Sequence, residues 1–596
     1  MNKNNIEQKR HTLAHLLAAA VLKDYPHAKL TIGPAVDNGF YYDIDFSEGN
    51  APGDADLKKI QKTMRKTIGS WKEFTHKQVS ADEAREVFKG NQFKIELINE
   101  LEEKGEKITL YTIGDFTDLC RGGHVENPAE EIDAKSFELS RIAGAYWRGN
   151  EKNPMLTRIY GLAYDTPEEL AEYKVKMEEA RQRDHRLLAE KFDLFMVSDE
   201  VGKGLPLYLP NGAYIRRKLE DFMYEKELEY GYKNVYTPVL THERLYQQSG
   251  HLDHYRGDMY NPIEIEGEEY YLRPMNCPHH HQIFKHKPFS YRNLPYRLSE
   301  FGLVHRFERS GVLTGLIRAR CFTQNDAHIY CAEKDLKSEL ISVLNLFRDV
   351  YDNTFNLTDY WFRLSLPDFT NTEKFGDIEN KDMWDNAAEI ARQAMKEYGA
   401  EYTEEEGEAA FYGPKIDMQI RNVNGKEDTI ATIQIDFYSS GKFDLNFINE
   451  KGEKEAPVIV HRAIMGSFDR FFAFLTEHYK AAFPVWLSPV QTLIAPVAEV
   501  HNDYAAEVLK ELRKNGIQAE LDDSKDNFGK KIRNAKAMNI PYVLIIGDKE
   551  VEAKTVSIDS RDEGQLDAAS VEDLVKKIKG DIDSKKNPGD LKQGLE

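Results

Sequence analysis

Four cysteines among 596 residues are too few for a disulfide framework, and they fit a reducing compartment. No apolar run approaches the roughly 18 residues needed to cross a bilayer, and no segment repeats or falls into long low-complexity tracts. Positive charge is also scarce: 80 Lys and Arg against 101 Asp and Glu leave a net charge of −21 at pH 7. That balance excludes a uniformly basic nucleic-acid binder, but phosphate recognition needs only a local basic surface. Residues 270–330 hold such a concentration, with Arg273, Lys285, Lys287, Arg292, Arg297, Arg306, Arg309, Arg318 and Arg320 opposed only by Glu300, Glu308 and Asp326. The short run Leu16–Leu22 behind Lys9 and Arg10 imitates a secretion signal. Its neighbours His11, His15 and Lys23 fall at helical spacing, which reads as a helix of a cytoplasmic protein without a membrane segment.

Composition is otherwise that of globular domains, 41% hydrophobic and 30% charged, and the length suits about four of them. Residues 6–24 read as an amphipathic helix, and residues 33–46 as a turn feeding an alternating strand around Phe40, Tyr41 and Tyr42. The charged, glycine-free stretch 166–190 reads as a connecting helix. From 195 to 487, strand-like runs at 234–240, 298–306, 319–329 and 429–437 are separated by long stretches, the pattern of a large antiparallel sheet with helices. Runs at 490–497, 518–521 and 542–546 alternate with helical patterns at 503–514 and 530–538, as in a small α/β domain. The expected organisation is α+β and multidomain: 1–163, a linker helix over 164–194, 195–487, 488–582 and a disordered tail over 583–596.

Two histidines one turn apart, His11 and His15, share a helix face, and Cys120 and His124 flank two glycines that let the backbone turn sharply. Four N/S groups in two pairs can spell structural zinc. They can equally be buried, inert side chains, or a hydrolytic pocket in which imidazoles activate a water. Composition alone leaves the three open.

The surrounding words carry a family resemblance. Arg10-His11 to His15-Leu16, Gly39-Phe-Tyr-Tyr-Asp43, Asp118-Leu-Cys-Arg-Gly-Gly-His124 and Gly144-Ala-Tyr-Trp-Arg-Gly149 resemble the editing domain of bacterial threonyl-tRNA synthetases. Gly231 to Pro238 resembles motif 1 of class II synthetases, Phe301 to His328 motif 2, and Gly466 to Arg470 motif 3, with Asp469 where glutamate is usual. The resemblance covers nearly the whole chain and implies a ligase that joins L-threonine to tRNA(Thr) through threonyl-adenylate and works as a homodimer. It implies a metal-free editing pocket that hydrolyses seryl-tRNA, lined by His11, His15, Tyr42, Lys94, Asp118, Cys120 and His124. By the same resemblance the first helix is the editing helix, and the small ubiquitin-like domain that starts many bacterial members is expected to be missing.

The chemistry explains these residue types. A carboxylate attacks the α-phosphate of ATP, so catalysis rests on orientation and on charge stabilisation at phosphorus, which the planar fork of arginine suits. By resemblance Arg306 grips the α-phosphate and Arg318 the β/γ end, with Mg2+ bridging phosphates. Arg470 sandwiches adenine against Phe322, and Glu308 accepts from its amino group. Cys277, His328 and His461 resemble the family's three zinc ligands, one ion per chain, with Gln324, Asp326, Tyr412, Lys415, Thr432 and Gln434 around the amino acid and adenylate. His251 matches a histidine implicated in transfer to tRNA.

Residues 490–580 resemble the anticodon-binding domain of several class II enzymes, with Lys530, Arg533 and Glu550 on matching positions. There Asp559 stands where arginine is common, and Lys525 and Asn527 replace a usual Asn and Lys. In the core Asp428-Thr429 replaces the family's Trp-Gln. A non-catalytic paralogue that binds RNA for regulation would have lost motif arginines or zinc ligands, and a stand-alone editing factor would lack the adenylate site; this chain retains all of them.

Overall fold

The computed structural model describes residues 3–371, 381–423, 425–585 and 587–588. The chain divides into two compact units, Met1–Glu179 and Ala180–Glu596.

In the first unit the helix Lys3–Asp24 is the core element. Leu13, Leu16, Leu17, Ala18, Ala20 and Val21 are all but fully buried, which accounts for the signal-like run as the apolar face of a packed helix. Each of the leucine and valine side chains contributes about 1.5–3 kcal/mol when taken out of water. The helix packs on an antiparallel sheet ordered Lys29–Leu30, Gly39–Asp45, Met155–Ala163, Phe137–Tyr146. A second, three-stranded sheet of Thr75–Gln78, Thr109–Ile113 and Phe116–Leu119 carries Asp118 and delivers the chain to Cys120.

The expected connecting helix is two helices, Pro167–Arg183 and His185–Phe192, and the unit boundary falls in the first. Asp184 breaks them apart and caps the second, accepting from Arg186 N at 2.9 Å. Beyond it lies the large sheet read from the sequence. Its eight strands run Lys233–Asn234, Tyr296–His305, Cys321–Cys331, Val458–Ser467, Glu427–Asp436, Lys415–Arg421, Tyr360–Leu366, Tyr402–Glu406. Every pairing is antiparallel except the outermost one at each edge. Helices Pro210–Glu229, Leu336–Arg348, Lys381–Tyr398 and Phe468–Tyr479 supply buried apolar residues to the same core.

At the C-terminal end Thr492–Pro496, Ala519–Leu521 and Tyr542–Ile546 pair in parallel, and Thr555–Ser560 and Gly564–Ser570 add two antiparallel strands. The last helix ends at Asp583. Within the stretch expected to be a tail, Asn587 accepts from Tyr479 Oη at 2.8 Å and donates to the Thr354 carbonyl at 2.9 Å; residues 589–596 lie outside the described residues. Among the described residues no helix is long and apolar enough to cross a membrane.

Candidate functional site

Strand alternation builds the floor of the main site. Along Cys321–Cys331 it places Phe322, Gln324, Asp326 and His328 on one face. Register sets His328 directly opposite His461, and His461 opposite Gln434. Asp326 and Thr432 both face Ala463, and Lys415 faces Gln434. Residues scattered over the sequence are thus cross-strand neighbours. A cavity of about 980 Å³ opens on this floor, lined by Cys277, Arg306, Gln324, Asp326, Tyr412, Lys415, Thr432, Gln434 and His461, together with Asp253, Tyr255 and Phe411. A second space of about 180 Å³ shares Arg306, Gln324, Thr432 and Ala463 as walls and reaches Glu308, Arg318, Phe322 and Arg470. Arg306 stands at the junction, with its Nε donating to the Pro274 carbonyl at 3.2 Å.

The smaller space is cationic. Burial lowers the Arg470 pKa, Asp428 opposes that, and repulsion from Arg306 and Arg318 adds to it; three mutually repelling guanidiniums suit a polyanion. Arg318 pairs with Glu308 at 2.9 Å, so the residue expected at adenine is here engaged by the one expected at the phosphates. Arg470 is aimed by its contacts to the Ile317 carbonyl at 3.1 Å and the Thr429 carbonyl at 3.2 Å. At the Asp428-Thr429 pair the backbone holds the arginine, while the Thr429 hydroxyl accepts from Gln419 Nε2 at 2.8 Å. Asp469 is also settled in place. It is buried and accepts from Thr323 N at 2.7 Å and Tyr208 Oη at 2.8 Å, tying the motif 3 helix to the motif 2 strand.

In the larger cavity the Tyr412 hydroxyl donates to Gln434 Oε1, and its ring stacks on His461 with centroids 5.0 Å apart. Lys415 lies 3.1 Å from Asp417, which also accepts from Thr432 at 2.8 Å. Burial raises the Asp326 pKa. His251 is buried behind the wall, with Nδ1 2.8 Å from Ser249 Oγ and its ring 6.5 Å from that of Phe411.

At one end the ligand atoms of Cys277, His328 and His461 all lie within 4.8 Å of one another. Their chemistry fits a cation. Among the described residues His328 Nε2 and His461 Nδ1 are buried with no hydrogen-bond partner, while the opposite ring nitrogens are occupied: His328 Nδ1 by His280 Nδ1 at 2.8 Å, His461 Nε2 by Asp436 Oδ2 at 2.9 Å. Burial, with Asp326 and Asp436 nearby, raises the Cys277 thiol well above its usual range in the metal-free chain. A cation there would displace that proton. Sequence reading missed His280 and Asp436; a CPHHH run opening a helix was the signal available for the first.

A third cluster, Asp184, His185 and Glu477, is different in kind. His185 Nδ1 lies 2.8 Å from Glu477 and Nε2 accepts from Leu316 N at 3.3 Å, so both ring nitrogens are already used. The expected basic surface over 270–330 is likewise partly internal. Arg273 is buried against Glu300 at 3.4 Å, and Arg297 forks onto Glu339 at 2.7 and 2.8 Å, because folding carries these residues into the sheet and under a helix.

The editing-like pocket assembles all seven expected residues in the first unit. Gly122 and Gly123 take φ of 94° and 87°, a left-handed course that brings Cys120 and His124 back onto His11 and His15. Cys120 Sγ lies 3.3 Å from His124 Nε2 and 3.5 Å from His11 Nε2. Asp118 accepts from Tyr42 Oη at 2.5 Å, pairs with Lys94 at 2.5 Å and stands 3.3 Å from His15 Nδ1; all four are buried. A space of about 380 Å³ is lined by His11, His15, Tyr42, Lys94, Asp118 and Cys120, with the exposed Lys104, Lys107 and Arg121 beside it. His124 stands behind this lining, stacked on Phe74 at 4.1 Å.

The positions carried over to the C-terminal domain are more local. Lys530 pairs with Asp526 at 2.9 Å. Both Glu550 oxygens are taken, by Gly547 N at 2.9 Å and Ser557 Oγ at 2.8 Å, which is a helix cap. Asp559, where arginine is common, pairs with Lys536 at 2.9 Å. Arg533 lies on the exposed side of the same helix, Phe528–Ala537.

Comparison with known proteins finds three family matches along the chain. Residues 260–479 match the class II core domain of tRNA synthetases (G, H, P, S and T), 491–581 an anticodon binding domain, and 108–160 the threonyl and alanyl tRNA synthetase second additional domain. The threonine–tRNA ligase of Streptococcus thermophilus is 46% identical over 581 residues, 97% of this chain and 89% of the relative. That of Streptococcus pneumoniae is 46% identical over 578 residues, covering 97% and 88%. Among solved structures, the RNA binding domain of threonyl-tRNA synthetase from Cryptosporidium parvum matches with a TM-score of 0.62 at 34% identity, over 67% of this chain and 98% of that one. Putative threonyl-tRNA synthetase ThrRS-1 from Aeropyrum pernix matches with a TM-score of 0.60 at 30% identity, over 68% and 96%. With identity of this level sustained over nearly its whole length, the chain belongs to the threonyl-tRNA synthetase family: a threonine–tRNA ligase with a class II core, an anticodon-binding domain and the editing-related second additional domain.

Proposed function

We propose that the two joined spaces of the core form one adenylate site, with threonine in the larger and Mg2+-bound ATP in the smaller. The observation that carries this is the position of Arg306, the guanidinium in the wall common to both, where a threonine carboxylate and an α-phosphate would meet. Arg306 holds charge developing at the α-phosphate, Arg318 swings from Glu308 to the β/γ-phosphates, and Arg470 and Phe322 take the adenine between them, leaving Glu308 to accept from its amino group. Gln324, Asp326, Tyr412, Lys415, Thr432 and Gln434 position the amino acid and the adenylate, and His251 serves the transfer to tRNA. Cys277, His328 and His461 hold one Zn2+ per chain, the orphaned Nε2 and Nδ1 atoms of the two histidines being the support. When bound, the ion supplies an open Lewis-acid position for the amino and hydroxyl groups of the substrate.

Specificity follows. Valine has no hydroxyl and is rejected, whereas serine differs by one methyl, worth about 1–3 kcal/mol, and is activated. The pocket of the first unit removes that error: His11, His15, Cys120 and His124 orient water, and Tyr42, Lys94 and Asp118 hold the seryl ester, with Lys104, Lys107 and Arg121 beside the tRNA end. Domain limits lie near 163, 194, 487 and 582, and Lys530, Arg533 and Glu550 mark the anticodon side. The protein is a cytoplasmic homodimer through motif 1, where Tyr236 is 91% exposed.

ATP–pyrophosphate exchange tests the core of this. Threonine is expected to drive strong exchange, serine weak exchange and valine almost none, with Arg306→Ala abolishing all of it in a folded chain. Equal exchange with valine and threonine removes metal-based recognition, and normal exchange by Arg306→Ala removes the shared-wall role.

A further inference from the structure

Three consecutive histidines, His279, His280 and His281, follow the proposed ligand Cys277 at the start of the helix Cys277–Lys285, and all three are buried. Two have neutral partners, Thr241 Oγ1 at 2.7 Å and the Tyr330 hydroxyl at 2.9 Å. The middle one is placed otherwise. His280 Nδ1 lies 2.8 Å from His328 Nδ1, and His280 Nε2 lies 3.3 Å from Glu300 Oε2. His280 is fully buried and Glu300 is 2% exposed.

Glu300 is held from several sides. It accepts from Thr237 N and Oγ1 at 2.8 Å each and from Asn276 Nδ2 at 3.0 Å, with Arg273 3.4 Å away. Burial alone would raise its pKa, but His280, Asn276 and Arg273 hold it down to about 2. It is a carboxylate and can only accept.

That fixes the protons along the line. Two Nδ1 atoms at 2.8 Å need one donor and one acceptor. If His280 donated, its neutral Nε2 would set a lone pair against the Glu300 carboxylate. Whether His280 were neutral or fully protonated, a neutral His328 would then carry its proton on Nε2, which is buried with no acceptor among the described residues. If His328 donates, every N–H along the line finds an acceptor: His328 Nδ1–H gives to His280, His280 Nε2–H gives to Glu300, and His328 Nε2 presents a bare lone pair beside Cys277 and His461. Asp436 does the same job directly for His461, and is itself fixed by Tyr438 N and Ser439 N at 2.8 Å each.

We infer that His280 and Glu300 are positioning residues for the zinc site, a two-step imidazole–carboxylate relay that sets the tautomer and orientation of His328 and so the affinity for metal and threonine. This rests on the assignment of Cys277, His328 and His461 as zinc ligands. Partners of this kind change metal affinity by roughly 10–100-fold when removed. The relay also joins the site to motif 1, because its carboxylate is anchored on Thr237, next to Pro238.

The test compares the full-length parent with His280→Leu and His280→Asn. Asparagine can offer an oxygen where His280 Nδ1 accepts; leucine cannot. Zinc release into a chelator is followed, then the visible absorption of the Co2+-loaded proteins, then the threonine and ATP KM in exchange. His280→Leu is expected to release zinc about 10–100-fold faster, shift the Co2+ band and raise the threonine KM while leaving that for ATP. His280→Asn is expected to stay near the parent in all three. Should the leucine chain not fold, His280→Ala takes its place. A zinc-loaded parent matched by the leucine variant overturns the relay alone, as do leucine and asparagine variants that lose zinc equally fast. A parent that takes up no zinc overturns the ligand assignment and the relay with it.

Discussion

Burial alone would push the Cys120 thiol up, yet its contacts with His11, His124 and His15 bring it down to about 3. At His15 burial works the other way and would lower the pKa, but Asp118 and Cys120 raise it to about 9. The pair is therefore thiolate and imidazolium at neutral pH. Since the folded pKa of His15 is raised, its contribution to stability is complete below its ordinary value of about 6.5 and is lost as pH rises through about 9. The thiolate can be read out chemically. Below its pKa of about 8.5 an ordinary cysteine alkylates about tenfold faster for each unit by which the pH is raised, because only the thiolate reacts. Cys120 is half-buried and already ionised, so its alkylation rate should be flat between about pH 5 and 8. Cys321, pushed up to about 11 by burial and by Asp469, should react negligibly. Mass spectrometry of alkylated peptides separates the two, and a tenfold-per-unit rise at Cys120 would show that the imidazoles do not hold its proton off.

Long elements were legible because their periodicity is local. The strand expected at 319–329 is Cys321–Cys331, that at 542–546 is Tyr542–Ile546, and the helix expected at 503–514 is Asn502–Lys514. Register is not local, so no spacing could place His328 opposite His461; only the family likeness put them in one set. Nor does sequence distinguish a phosphate-binding arginine from one folded into the core, which is why Arg273 and Arg297 counted as surface charge. The kink at Asp184 also escaped, since a polar capping residue inside a charged helical stretch looks like more helix. The second helix it starts ties two motifs together. His185 binds Glu477, on the helix that carries Arg470, and accepts from Leu316 N in the motif 2 loop; a Cβ at Gly315 would sit 2.2 Å from its Nε2. His185→Ala strands a buried carboxylate and a buried N–H. We expect a loss of about 1–3 kcal/mol in denaturant unfolding and a raised KM for ATP with that for threonine unchanged. An unaltered ATP KM would mean that the loop holds its shape without this histidine.

At the scale of the whole molecule the two compact units each carry a polar site, and the proposed reading gives them opposite tasks on one error. The synthetic site can demand a hydroxyl but can charge only about 1–3 kcal/mol for a missing methyl, a discrimination of roughly 10–200-fold. On the proposed reading, hydrolysis in the first unit supplies the remainder on a substrate already esterified, so it should need neither ATP nor the proposed zinc ligands. The two functions should therefore separate cleanly by mutation. His11→Ala removes one imidazole from the water-orienting set and should slow deacylation of seryl-tRNA by about 100-fold or more, letting it accumulate while threonine activation proceeds at the parental rate. Cys277→Ser should do the reverse, lowering zinc from about one per chain to near none and abolishing threonine activation while deacylation of supplied seryl-tRNA continues. Metal analysis, pyrophosphate exchange and deacylation on the same three proteins decide it. If zinc survives Cys277→Ser, the ion is held elsewhere, and the His11, His15, Cys120, His124 set becomes its place. If each variant damages both reactions, the sites depend on one another and the division of labour fails.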